Sequence, residues 1–109
     1  MATSSKNLLT VFGALANPHR MRIVAALHKN GRTYVSQLAR EMGISRPLLI
    51  LHLKKLEEAA LVTSKFELSS DGKALNYYEL AAFDIALNPT SITKAAATLP
   101  AAETDLSKD

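Results

Sequence analysis

The fold turns on the reading of Val35-Ser36-Gln37-Leu38-Ala39-Arg40-Glu41-Met42-Gly43-Ile44-Ser45-Arg46-Pro47-Leu48-Leu49-Ile50-Leu51-His52-Leu53-Lys54-Lys55-Leu56. Tyr34-Val35 reads as a short extended lead-in, and Ser36 is placed to cap a helix over Gln37–Met42 with Leu38 and Ala39 inward. Gly43 ends that helix, because glycine turns into the left-handed region without steric cost. Ser45 then caps a second helix with Pro47 in its first turn, predicted to run to about Ala60. Its buried face is the stripe Leu49, Leu53, Leu56 and Ala60. Two helices separated only by Gly43-Ile44-Ser45 have the spacing of a helix-turn-helix.

Upstream, Leu8, Val11, Phe12 and Leu15 recur at helical spacing over residues 5–16. Asn17-Pro18 is a cap followed by a residue suited to a first turn, opening a helix with Ile23, Val24 and Leu27 inward that Asn30-Gly31 stops. Downstream, Leu61–Leu68 and Ala74–Leu80 are rich in strand formers. They flank Ser69-Ser70-Asp71-Gly72-Lys73, whose Asp-Gly pair is a strong hairpin signal. A hairpin directly after a helix-turn-helix is a wing. Phe83, Ile85 and Leu87 alternate with polar and small residues, which suggests another extended segment or, alternatively, a short helix. Pro89-Thr90 opens a small helix with Ile92, Ala95, Ala96 and Leu99 on one side. The expected architecture is mainly α with a β-hairpin wing, a winged helix-turn-helix. It makes one domain over residues 1–99, with a tail fraying over 100–109.

Composition closes off several alternatives. Among 109 residues there is no cysteine, so disulfides, thiolate metal sites and cysteine nucleophiles are excluded. No apolar run approaches the roughly 18 residues of a membrane span. The start, Met1-Ala2-Thr3-Ser4-Ser5-Lys6, lacks the apolar core of an export signal, so a cytoplasmic, membrane-free protein is expected. There is no Gly-rich phosphate loop, no Gly-x-Ser-x-Gly and no His-Glu-x-x-His, and Glu57-Glu58 reads as a solvated pair, so an enzyme is not expected. The three histidines, His19, His28 and His52, have no Cys and no paired carboxylates at ligand spacing; neither a metal nor another cofactor is expected. The net charge is +3. Residues 18–55 hold eight bases against the single acid Glu41, whereas residues 81–109 hold two bases and four acids. A basic body with an acidic tail suits a polyanionic partner.

From Leu15 to Leu80 the chain resembles the winged helix-turn-helix regulators of the ArsR type. The resemblance is carried by Leu15-Ala16-Asn17-Pro18-His19-Arg20-Met21-Arg22-Ile23, Val35-Ser36-Gln37-Leu38-Ala39 and Gly43-Ile44-Ser45-Arg46-Pro47. It continues through His52-Leu53-Lys54-Lys55-Leu56-Glu57-Glu58-Ala59-Ala60-Leu61-Val62 and the hairpin Asp71–Leu80. It implies homodimeric, sequence-specific binding to double-stranded DNA, often with repression lifted by a ligand; the residues point to no particular effector. The metal sites of that family use Cys in the third helix, or Asp and His in the last one, and neither set is present here.

On this resemblance the helix over 45–60 is the recognition helix in the major groove and residues 62–80 form the wing. At about 100° per residue, Pro47, Leu51, Lys54 and Glu58 lie opposite the buried stripe, flanked by Leu48, Ile50 and Lys55. Lys54 and Lys55 suit phosphates, although an exposed lysine is as often merely solvated. Arg46, where the matching family position often meets DNA, can reach a phosphate or grip a guanine edge with two hydrogen bonds. Ser36, Gln37 and Ser45 offer polar groups to phosphates besides any capping role, and Lys73 stands at the wing tip. His52 matches a groove-helix position; it either donates to a phosphate or sits half-buried at the core edge. Where the family carries small or polar outward residues, this chain has Leu48, Ile50 and Leu51. They can touch thymine methyls but cannot tell bases apart by hydrogen bonds, leaving more to DNA shape. The alternative reading makes that apolar face a protein-docking patch. The expected dimer surface joins Leu8, Leu9, Val11, Phe12 and Leu15 of the first helix to Ile92, Ala96 and Leu99 of the last; otherwise these residues close the chain's own core.

Overall fold

The structure, a computed structural model, describes residues 5–100. The start of the chain and all but the first residue of the expected tail therefore lie outside the described residues. The elements follow in the order α1 (Ser5–Leu15), α2 (Pro18–Asn30), β1 (Thr33–Tyr34), α3 (Val35–Met42), α4 (Arg46–Glu58), β2 (Val62–Leu68), β3 (Ala74–Leu80) and α5 (Pro89–Ala97). Among them no helix is long and apolar enough to cross a membrane.

The punctuation works as the residues predict. Asn17 accepts from the Arg20 amide at 3.2 Å and Pro18 fills the first position of α2. Ser45 accepts from the Leu48 amide at 3.3 Å, at the start of α4. At the end of α3, Gly43 takes φ 69° and ψ 30° and its amide bonds back to Ala39 and Arg40. The hairpin closes through Ser69 and Lys73, with Gly72 at φ 85°.

Four local expectations need correction. Ser36 does not cap α3: the helix starts at Val35, with Tyr34 in the cap position making no side-chain bond. The reason lies in the sheet, because Thr33 and Tyr34 form β1 and pair with Tyr78 and Tyr77 of β3, so the chain turns into the helix one residue early. Second, α4 stops at Glu58 and Ala60 is exposed, outside the helix; Ala59 takes the buried place instead. Third, residues 81–88 are neither strand nor helix; Ile85 packs on the core while Phe83 and Leu87 remain exposed. Fourth, Leu8 and Val11 are already buried within the chain, which removes them from the expected dimer surface.

The sheet runs β1-β3-β2, all antiparallel, with β2 and β3 in register from Val62 opposite Leu80 to Leu68 opposite Ala74. Ile23 and Leu27 of α2, Leu38 of α3, Leu49, Leu53 and Leu56 of α4, and Leu61 and Val62 leading into β2 form one core, which Val11 joins from α1. Helix α5 buries none of its residues; it is held by a reciprocal cap between Asn88 and Ser91 and by packing on α1.

Candidate nucleic-acid interface

Helix α4 presents two faces. Leu49, His52, Leu53 and Leu56 point inward, spaced i, i+3, i+4, i+7, and the three leucines are wholly buried. Arg46, Leu48, Leu51, Lys54 and Lys55 face solvent. Arg46 occupies the first turn and Lys54 and Lys55 the later part, so cationic groups flank an apolar centre where Leu51 is 63% exposed. Among the described residues none of Arg46, Lys54, Lys55 and Lys73 has an ion-pair partner.

Two residues expected on this face are not on it. His52 is buried, and Ile50 is half-buried against the core. At 100° per residue position 52 falls only about 60° from position 49, well inside the apolar sector. His52 Nδ1 faces Arg20 Nη1 at 3.1 Å, its ring lies 5.2 Å from that of His19, and Nε2 is buried with no partner among the described residues. Burial first, and then the charges of Arg20 and His19, hold its pKa below the ordinary value of 6.5. A neutral, buried imidazole is no phosphate donor.

The other expected contacts divide. Ser45 is exposed, with its hydroxyl engaged as the α4 cap. Ser36 is half-buried, and the half-buried Gln37 donates to Glu41 at 3.2 Å. Lys73 is exposed at the hairpin tip. There Asp71 accepts from the Ser69 hydroxyl and the Lys73 amide, which lowers its pKa.

Arg32, counted with the basic body, is diverted. It grips Glu67 with two bonds of 2.6 and 3.0 Å and lies 4.0 Å from the centre of the Tyr77 ring, which Tyr34 meets edge-on. The guanidinium keeps the Glu67 carboxyl below its ordinary pKa and ties the turn end of β2 to the residue just before β1. Sequence spacing gave no sign of this contact between residues 35 apart.

Farther from α4, α1 and segment 81–88 enclose an apolar cleft of about 560 Å³ lined by Phe12, Leu15, Phe83, Ile85 and Leu87, with Asp84 at its edge. Ile92 and Leu99, of the expected dimer surface, are 46% and 40% exposed, and Ala96 is exposed too. Among the described residues no three His, Asp or Glu side chains stand close enough to hold a metal ion.

Comparison with known proteins places the chain by family and by fold. Residues 15–65 match a helix-turn-helix domain family. An uncharacterized HTH-type transcriptional regulator of Methanocaldococcus jannaschii is 36% identical over 81 residues, covering 74% of this chain and 83% of the relative. The transcriptional regulator HlyU of Vibrio vulnificus superposes with a TM-score of 0.57 at 25% identity, over 85% of this chain and 84% of that one. A homodimeric winged helix-turn-helix DNA-binding domain from Mycobacterium bovis shares the fold, with a TM-score of 0.61 at 23% identity over 84% of this chain and 74% of that one. The chain belongs to the helix-turn-helix transcriptional regulators and carries the winged fold of their ArsR-type members.

Proposed function

We propose that this regulator binds double-stranded DNA as a cytoplasmic homodimer, with α4 in the major groove and the β2–β3 wing beside it. The observation that carries the reading is the outer face of α4: Arg46, Lys54 and Lys55 are exposed and unpaired among the described residues, on a helix held from behind by three buried leucines. Such a helix fits a major groove, and the preceding helix rests on the backbone. Arg46 reads a guanine edge or a phosphate, Lys54 and Lys55 neutralise phosphates, and Lys73 approaches the flanking minor groove. Leu48 and Leu51 supply apolar contact to thymine methyls. Ser36, Gln37 and Ser45 border the same surface and offer hydroxyl and amide groups to phosphates.

A homodimer follows from the electrostatics of a small domain. If each protomer neutralises about four phosphates, two reach about eight, and the log–log dependence of affinity on salt has a slope near −7. Two-fold symmetry sets the two recognition helices about 34 Å apart, in successive major grooves. The exposed residues Leu9, Ile92, Ala96 and Leu99, with the half-buried Phe12, supply the contact.

Selection of bound sequences from a random DNA pool tests this reading. Enrichment of an inverted repeat with half-sites one helical turn apart is the expected result. Failure to enrich any sequence, with binding that survives a rise from about 50 to 200 mM salt, favours the second reading. There the exposed pair Leu48 and Leu51 docks a protein, and apolar docking is nearly insensitive to salt.

A further inference from the structure

The C-terminal end of α1, the start of α2 and the middle of α4 meet at one side chain, Arg20. The last four carbonyls of a helix have no partner within it. In α1, Phe12 receives the Ala16 amide at 3.0 Å and Leu15 the Asn17 amide at 2.8 Å. The remaining two, Gly13 and Ala14, are taken by Arg20 through Nη2 and Nε. The same guanidinium directs Nη1 at His52 Nδ1, 32 residues away on α4. Arginine has only donors, so Nδ1 is the acceptor and the imidazole proton is on Nε2. That Nε2–H is buried with no partner among the described residues, a cost that an apolar side chain at position 52 would avoid. The contact is therefore poorly explained as a device for stability.

Geometry offers a better explanation. The leucine stripe of α4 fixes which face is buried, but apolar contact is non-directional and tolerates small rotations of the helix. A hydrogen bond weakens steeply when its angle opens. We propose that Arg20 is a positioning residue for DNA binding: through His52 it sets the rotation of α4 against α1 and α2, and so the direction in which Arg46, Lys54 and Lys55 project. Its guanidinium is occupied on three sides and half-buried, which distinguishes it from the exposed cations that meet phosphate directly. The inference rests on the DNA-binding reading above. It adds that α1, whose outer face carries the proposed dimer contact, is tied to the recognition helix by one side chain.

The test compares two rankings on the full chain. His52→Asn keeps an acceptor near the Nδ1 position, whereas His52→Leu removes it and fills the space with carbon. By urea unfolding, the Leu variant should equal or exceed wild type in stability and the Asn variant should fall below it. In binding to a random-sequence duplex of roughly 30 base pairs at low salt, the order should invert. The Asn variant should stay within about twofold of wild type and the Leu variant should lose about tenfold. Arg20→Lys should also weaken binding, because an ammonium cannot hold two carbonyls and the imidazole together. The Arg20→Lys/His52→Leu double variant should be no weaker than the worse single one. Affinities that follow the stability order overturn the proposal. So do losses that multiply in the double variant with a shallower salt slope, which would make Arg20 a phosphate contact. If wild type binds no duplex, the DNA-binding reading itself fails and this inference fails with it; if wild type binds and only the rankings disagree, this inference alone is lost.

Discussion

At the scale of single residues, the ends of α3 and α4 make an informative pair. After α3, the Ile44 amide bonds to the Ala39 carbonyl and the Gly43 amide to that of Arg40. After α4, the Leu61 amide bonds to Leu56 and the Ala60 amide to Glu57. Both are the double-bonded helix stop that needs a left-handed residue. Gly43 meets that need freely, whereas Ala60, at φ 59°, carries a Cβ that costs about 1–2 kcal/mol there. Ala60→Gly should therefore raise stability by about 0.5–1 kcal/mol, once the extra freedom of glycine in the unfolded chain is allowed for. At fixed protein concentration the melting temperature should rise by several degrees; a fall would mean that this turn is not left-handed in solution. His52 makes a second prediction at this scale. Its pKa is depressed by burial, by the Arg20 guanidinium and by the nearby His19, so the unfolded chain binds the proton more readily than the folded one. The stability due to neutral His52 is complete above pH 6.5, the ordinary value, and is lost as pH falls below it towards the depressed pKa. Urea midpoints measured downward from neutral pH should show this decline in wild type and less of it in His52→Leu.

At the scale of elements, α4 carries the sharpest functional expectation. Arg46 stands at the positive end of the helix dipole, where a cation is mildly unfavourable, and has no ion-pair partner among the described residues. Arg46→Ala should leave stability within about 0.5 kcal/mol of wild type, so a change in DNA affinity cannot come from unfolding. If Arg46 grips a guanine, binding should weaken by about 1–3 kcal/mol and specificity relax at one position. A uniform loss across sequences would assign it to a phosphate, and no loss would place α4 away from the groove. Helix starts and stops and the hairpin turn were legible in the sequence wherever the signal was local: Asn17-Pro18, Gly43, Ser45 and Asp71-Gly72 act within three or four residues of themselves. The start of α3 was not, because β1 is only two residues long and exists by pairing with β3, some 44 positions on. The outward cations of α4 followed from 100° arithmetic. For His52 a phosphate role and a place at the core edge both stayed open, although the same arithmetic puts it in the leucine stripe, where a polar side chain signals an unseen partner. That partner, Arg20, is set by tertiary packing and has no local mark.

At the scale of the whole molecule, α5 is the element least accounted for by one chain. A nine-residue helix is too short to persist on its own in water, and this one buries none of its residues. Ile92 and Leu99 remain exposed beside α1, as does Leu9 at 60%. With Leu8 and Val11 turned into the chain's own core, the proposed dimer contact narrows to the outer face of α1 together with α5. A carboxylate placed at its centre leaves the monomer core untouched, because Ile92 contributes nothing to it, but a two-fold contact would bury that charge twice without a partner. Ile92→Asp should thus shift sedimentation at micromolar concentration from dimer to monomer while circular dichroism still reports a helical fold. The same variant should bind DNA more weakly, and its log–log salt slope should fall from near −7 to about −3.5, because one protomer neutralises half as many phosphates. A variant that sediments as wild type would move the dimer contact elsewhere. A monomeric variant that kept the full slope would mean that each protomer covers more of the DNA backbone than α4 and one wing supply.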